Sequence, residues 1–141
     1  MLIQLSVLAC LEEDTGTSTY DLFDMIAGSS SGGLITCLIL GRRISAGQII
    51  QMALQEKLLE KMMVAHWMHR LLNKLQIRPK YTGKQKSSTL QAELANLRLS
   101  SLSKRILIPC FNLNQDRLEI FTNENSFDFL LSEIADACTA A

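Results

Sequence analysis

The sequence lacks an excess of charge of either sign, because its 14 lysine and arginine residues balance its 14 aspartate and glutamate residues. A chain without net positive charge has no general attraction for the phosphate backbone, so we expect no nucleic-acid partner. No apolar run approaches the roughly 20 residues of a membrane-spanning helix. With 48% hydrophobic residues, the composition indicates a folded domain, and we expect residues 1–141 to form one domain.

The sequence also lacks the spacings that bind metals. Its two histidines, His66 and His69, stand three apart, without the four-residue spacing and the glutamate of the metalloprotease helix. No Cys-x-x-Cys pair occurs among the four cysteines, which are Cys10, Cys37, Cys110 and Cys138. We therefore expect no metal and no cofactor, and we interpret the cysteines as buried reduced thiols in apolar surroundings.

Positive charge is missing from the first 41 residues and concentrated in the middle of the chain. Between Lys57 and Lys86, eight lysines and arginines face a single acidic residue, Glu60. Together with a stripe of methionine, leucine and tryptophan, this pattern is typical of a helix at the surface of an anionic membrane. A buried apolar stripe with lysines in solvent on its far side is the alternative. Residues 57–86 are thus a candidate for peripheral membrane contact.

Apolar segments and turn residues predict an alternation of helices and strands. The last two strands lie in "KRILIPCFNL" and "RLEIFTN" and form a hairpin around residues 114–116. The first predicted elements are a buried helix ended by Gly16, a loop over 15–20, a strand over 23–27 and a helix over 32–40 ended by Gly41. A Ser45–Gln48 capping box then opens a long periodic stretch from Ala46 towards Leu75, which forms one helix or two. The last elements are a short helix carrying Leu90, Leu94 and Leu97 and a final helix in "FDFLLSEIADACTAA". This order favours an α/β sheet sandwiched by helices. Three strands are few for so many helices, so we expect a domain truncated at both ends.

The segment "IAGSSSGGLI" contains the pattern G-x-S-x-G between a predicted strand and a predicted helix. In this context the pattern predicts a nucleophile elbow, in which Gly28 and Gly32 permit a tight turn that exposes the hydroxyl of Ser30. The backbone N–H of Ser31, at the positive end of the helix, is then a candidate oxyanion donor. A Walker A nucleotide-binding loop is a poor match, because Leu34 and not a lysine follows Gly33. A purely structural turn or a passive anion cradle remains an alternative.

Four segments of the chain, in collinear order, resemble the patatin-like phospholipases. "LEEDTGTSTYDLFDMIAGSSSGGLITCLIL" is similar to that family's elbow segment, and "PKYTGKQKSSTLQAEL", "LIPCFNLNQDRLEIFTN" and "ADACTAA" are similar to later family segments. The resemblance implies a lipid acyl hydrolase of the phospholipase A type that cleaves phospholipids or related acyl lipids. Its serine, matched by Ser30, would act with an aspartate as a dyad. A non-catalytic patatin-like module that binds lipid or protein is the alternative.

Two family motifs have no match in this sequence. The resemblance implies a glycine-rich oxyanion loop of the form D-G-G-G-x-R/K-G before the first helix. It also implies an aspartate in a D-G-G/A motif that acts as the catalytic base. None of Asp116, Asp128 and Asp136 is followed by glycine, so the base is assigned to no residue. We therefore expect this segment alone to be nearly inactive. We expect a cytoplasmic or peripheral membrane location and leave export as an effector open.

Overall fold

A computed structural model describes residues 1–55, 90, 92–124 and 127–139 of the chain. These residues form a small three-stranded sheet and several helices. The helices are α1 (Leu2–Thr15), α2 (Thr19–Leu22), α3 (Ser31–Arg42), α4 (Ala46–Gln55), a short 3-10 helix (Leu99–Ser101) and α5 (Leu131–Cys138). The strands are β1 (Met25–Ala27), β2 (Arg105–Asn112) and β3 (Arg117–Thr122). This mixture of helices and strands agrees with the predicted α/β class.

The sheet has the order β1-β2-β3, with β2 in the centre. Strand β1 lies parallel to β2, with Ile26 opposite Ile106, and β3 lies antiparallel to β2, with Phe121 opposite Ile108. The predicted hairpin is confirmed. The first strand begins at Met25, two residues later than predicted, and the first two residues of α2 lie in the predicted loop.

Helix α3 does not end at Gly41, as the sequence pattern predicted, but continues to Arg42. The left-handed residue that ends it is Arg43, with φ 54°. Gly41 serves packing instead of termination. A Cβ atom at Gly41 would lie 2.8 Å from Cδ1 of Leu131 and 3.3 Å from Cδ1 of Leu97. The glycine therefore lets the start of α5 approach α3 within the core.

Helices α3 and α5 pack on the same face of the sheet. A Cβ atom at Gly33 of α3 would lie 2.7 Å from Sγ of Cys138 in α5 and 3.4 Å from Cγ2 of Ile108 in β2. Residues Gly33 to Leu40 of α3 are all buried, which explains why this helix is apolar on every side.

The opposite face of the sheet exposes large apolar side chains, which are Met25, Phe111, Leu118 and Ile120. Because side chains alternate along a strand, these residues point away from Ile106 and Ile108, which are buried under the helices. In the part of the chain that the structure describes, helices cover one face of the sheet. The predicted second layer of helices stays a prediction.

Helix α1 is confirmed with its left-handed end at Gly16, where φ is 64°. The expectation of a buried helix holds for one side of α1 only. Leu5 is fully buried, but Ile3 and Val7 are 82% and 63% exposed. The carboxylate of Glu12 accepts hydrogen bonds from the backbone N–H groups of Thr19 (2.8 Å) and Ala46 (2.9 Å), the first residues of α2 and α4. One side chain of α1 thus caps two other helices.

The predicted capping box before α4 is confirmed. The hydroxyl of Ser45 accepts from the N–H of Gln48 at 3.2 Å, and the carboxamide of Gln48 accepts from the N–H of Ser45 at 2.9 Å. Three predicted features lie outside the described residues. They are the continuation of this helix to residue 75, the histidine pair and the basic stretch 57–86. Leu90 and Leu94 are buried, and Leu97 packs against the core.

Within the described ranges, no single helix has the length and apolar character needed to cross a membrane. Helices α3 and α4 satisfy those criteria only when they are taken together, and their axes are bent by 117°.

Candidate active site

The G-x-S-x-G segment connects the end of β1 to the start of α3. The N–H of Gly28 donates to the carbonyl of Leu107 at 3.0 Å, which extends the strand pairing by one residue. Ser30 follows with φ 51° and ψ −125°, a conformation that residues other than glycine rarely adopt, and its side chain is exposed. The predicted candidate nucleophile therefore stands on a strained strand-to-helix turn.

The carbonyl oxygen of Ser30 is held from two directions. The N–H groups of Gly33 and Leu34 donate to it at 3.0 and 3.3 Å, as the first turn of α3 requires. From α5, the thiol of Cys138 approaches the same oxygen at 3.5 Å. These contacts stabilise the positive φ of Ser30, which costs about 1–3 kcal/mol when a residue other than glycine adopts it.

The two predicted glycines of the turn have different roles. A Cβ atom at Gly28 would overlap the carbonyl group of Gly32 and lie 2.7 Å from Oγ1 of Thr36. That hydroxyl in turn donates to the carbonyl of Gly32 at 2.9 Å. A Cβ atom at Gly32 would meet only the side chain of Gln4, at ordinary contact distance. The close approach of strand and helix thus depends on Gly28.

Ser31 is the first residue of α3, and no described residue accepts a hydrogen bond from its backbone N–H. Unpaired N–H groups at the start of a helix lie at the positive end of its dipole. The group predicted as an oxyanion donor is therefore available, directly after Ser30 in the chain.

Among residues 1–55, 90, 92–124 and 127–139, none hydrogen-bonds to the hydroxyl of Ser30, so the structure identifies no base for it there. The carboxylate of Asp128 accepts from the N–H of Ser100 at 3.0 Å, and this bond lowers the pKa of that carboxyl. Asp116 lies in the hairpin turn with φ 49°. The structure thus gives these aspartates other surroundings, and the base stays unassigned.

Gln4 of α1 lies beside the turn, a neighbour that no sequence pattern indicated. Its Nε2 and Oε1 atoms are 3.8 and 4.0 Å from the position of a Cβ atom on Gly32. The side chain is exposed, and no described residue hydrogen-bonds to its carboxamide. The contact joins residues far apart in sequence and within no common motif, so only the folded arrangement reveals it.

All four cysteines lie in described parts of the chain, and none forms a disulfide. Cys37 is buried, and burial raises the pKa of its thiol, with smaller contributions from Cys138 and Cys110. Cys110 and Cys138 are half-buried, whereas Cys10 is exposed on α1. The prediction of buried thiols is therefore wrong for Cys10, because the outer side of α1 faces solvent. In the described segments, no cluster of three or more histidine, cysteine, aspartate or glutamate residues is arranged to hold a metal ion.

A family model described as patatin-like phospholipase matches residues 1–141. Patatin-like protein 2 of Arabidopsis thaliana is 30% identical over 134 residues, which cover 86% of this chain and 33% of that protein. Patatin-like protein 1 of the same plant is 31% identical, and the match covers 86% of this chain and 32% of that protein. Patatin-like protein 4 is 26% identical, and the match covers 93% of this chain and 35% of that protein. The chain spans about a third of the length of these relatives.

Proposed function

Because the chain belongs to the patatin-like phospholipase family, we propose that it carries the nucleophile of a lipid acyl hydrolase and that Ser30 is this nucleophile. The observation that carries the proposal is the backbone of Ser30. An exposed serine with φ 51° on the turn between a strand and a helix has the geometry in which a G-x-S-x-G motif presents its hydroxyl to substrate.

The proposed reaction is acyl transfer to water in two steps. The Oγ atom of Ser30 attacks the ester carbonyl, and its proton passes to a base. The N–H of Ser31 stabilises the negative charge on the carbonyl oxygen of the tetrahedral intermediate. The tetrahedral intermediate then collapses, and the lipid alkoxide leaves as an alcohol after taking a proton from the base. The acyl group stays on Oγ of Ser30 as an acyl-enzyme. Water hydrolyses the acyl-enzyme by the same route and releases the fatty acid.

In this proposal the base is an aspartate, as the family resemblance implies, and it is assigned to no described residue. The missing base has a large expected effect on the reaction rate. A serine without its base loses several orders of magnitude in rate, and each missing oxyanion donor costs about 10²–10³ in turnover. Since the chain spans only a third of its relatives, activity is to be tested on the longest open reading frame that contains it.

We propose phospholipids or related acyl lipids as substrates, with peripheral contact at a membrane surface. The exposed hydroxyl of Ser30 is open to a substrate that arrives from outside the core. The basic stretch 57–86 remains the proposed membrane contact from the sequence pattern. Neutralising Lys61, Arg70 and Lys74 is expected to reduce binding to anionic liposomes, and unchanged binding of the folded variant would remove this part of the proposal.

The experiment is labelling by a fluorophosphonate probe, together with hydrolysis of a phospholipid in vesicles. Wild-type protein, Ser30→Ala and the neighbouring control Ser29→Ala are compared as the full open reading frame. We expect wild type and Ser29→Ala to be labelled and active, and Ser30→Ala to be neither. If the folded wild-type protein is not labelled, Ser30 is not a nucleophile, and the non-catalytic binding module takes its place.

A further inference from the structure

We propose that Cys138 is a positioning residue of the active site, whose thiol donates to the carbonyl oxygen of Ser30 and holds the serine hydroxyl in the orientation that attacks the ester. This inference rests on the proposed function, because it gives the proposed nucleophile a partner from another helix. In this role Cys138 acts through Ser30 and not on the substrate.

Helix α5 is set against α3 at both of its ends. At its start, the N–H of Leu131 donates to the carbonyl of Leu97 at 2.8 Å, and the fully buried side chain of Leu131 fills the space beside Gly41. At its end, Sγ of Cys138 fills the space beside Gly33, where a Cβ atom would lie 2.7 Å from the sulfur. The two helices therefore run in opposite directions, and their packing brings the thiol to the serine turn.

The thiol contacts a backbone atom whose direction depends on the conformation of Ser30. This serine has φ 51° and ψ −125°, and its carbonyl oxygen lies 3.5 Å from Sγ of Cys138, within reach of a thiol donor. The N–H groups of Gly33 and Leu34 bond to the same oxygen from within α3. The contact with Cys138 ties the turn to a second helix, and it would be lost if the serine relaxed to a common backbone conformation.

The thiol has a second acceptor within reach. The carbonyl of Ala135, in the last turn of α5, lies 3.4 Å from Sγ of Cys138 and also accepts from the hydroxyl of Thr139 at 2.6 Å. A thiol proton directed at Ala135 stabilises only α5, whereas a proton directed at Ser30 fixes the orientation of the nucleophile. The two arrangements predict different kinetics.

An orienting contact acts on the chemical step. A serine that spends part of its time outside the attacking orientation forms the acyl-enzyme more slowly, while the binding of substrate is unchanged. The loss then falls on kcat and not on KM. Because a thiol is a weak donor, the expected size is that of one modest hydrogen bond, a factor of about 2 to 10 in rate.

The test uses three variants of the full open reading frame. Cys138→Ala removes the donor, and Cys138→Ser keeps a donor on a side chain of the same shape. Cys110→Ala is the matched control, because Cys110 is another half-buried thiol, located on β2. The measurements are kcat and KM for a soluble ester and the rate of fluorophosphonate labelling, at a temperature well below the thermal unfolding of every variant.

We expect Cys138→Ala to lower kcat and the labelling rate about 2- to 10-fold with KM little changed. Cys138→Ser is expected to retain most of the wild-type kcat, and Cys110→Ala to match wild type. Unchanged kcat in Cys138→Ala, equal losses in the Ala and Ser variants, or the same loss in Cys110→Ala would overturn the role of Cys138 and leave Ser30 in place. An inactive, unlabelled wild type would overturn both proposals.

Discussion

The thiol of Cys138 lies 3.5 Å from the carbonyl oxygen of Ser30, so the end of α5 touches the residue proposed as the nucleophile. The same sulfur would lie 2.7 Å from a Cβ atom on Gly33. The two residues that follow one another at the start of α3, Gly32 and Gly33, therefore face different neighbours. Gly32 faces Gln4 in solvent, and Gly33 faces Cys138 in the core.

We predict that Gly33→Ala lowers the free energy of unfolding by about 1–3 kcal/mol, because the new methyl group overlaps the sulfur of Cys138. Adding Cys138→Ala removes the obstacle, and the double variant is expected to be more stable than Gly33→Ala alone. Urea unfolding of wild type, both single variants and the double variant measures the coupling. Strictly additive effects would show that the sulfur moves aside without cost.

We predict that Gly28→Ala disrupts the turn and that Gly32→Ala does not. The methyl group on residue 28 overlaps the backbone carbonyl of Gly32, which cannot rotate away, so we expect a loss of 2 kcal/mol or more, on the order of severe overpacking. Alanine at 32 meets only the flexible Gln4 side chain, and helix propensity favours it over glycine by up to about 1 kcal/mol. Thermal unfolding of the two variants is the measurement, and an equal loss of stability in both would contradict the prediction.

We predict that Glu12→Gln lowers the free energy of unfolding by about 1–2 kcal/mol, since the uncharged carboxamide can accept with only one atom and leaves either Thr19 or Ala46 without its cap. Glu13→Gln makes the same change at the next, exposed residue and is expected to be neutral. Urea unfolding of both variants is the measurement. If both lose the same stability, the effect is one of charge and not of capping.

Local chemistry in the sequence predicted the elements well. Gly16 ends α1, the Ser45–Gln48 box opens α4, and the hairpin follows its turn residues, because each signal acts within four positions of the chain. Placing Ser30 on a strand-to-helix turn relied on a similarly short motif. Nothing in these signals required knowledge of the tertiary fold.

The failures have a common physical cause, since each depends on packing between distant residues. A glycine after an apolar helix, such as Gly41, is typical of a helix end. Gly41 nevertheless lies inside α3, where the absence of a side chain leaves space for Leu131. The outer side of α1 is apolar but exposed. Gln4 belongs to no motif and lies beside Gly32 only after α1 has folded against the core. The spacing of apolar residues in the sequence indicates which face of a helix is apolar. It does not indicate which part of the chain packs against that face.

The left-handed backbone of Ser30 also makes this position informative in any related chain. Glycine adopts φ 51° without the penalty that a serine incurs, so selection for stability alone would replace Ser30. A relative that has lost a use for the hydroxyl is expected to drift toward glycine here. We therefore expect serine to be retained at this position in those relatives that use its hydroxyl.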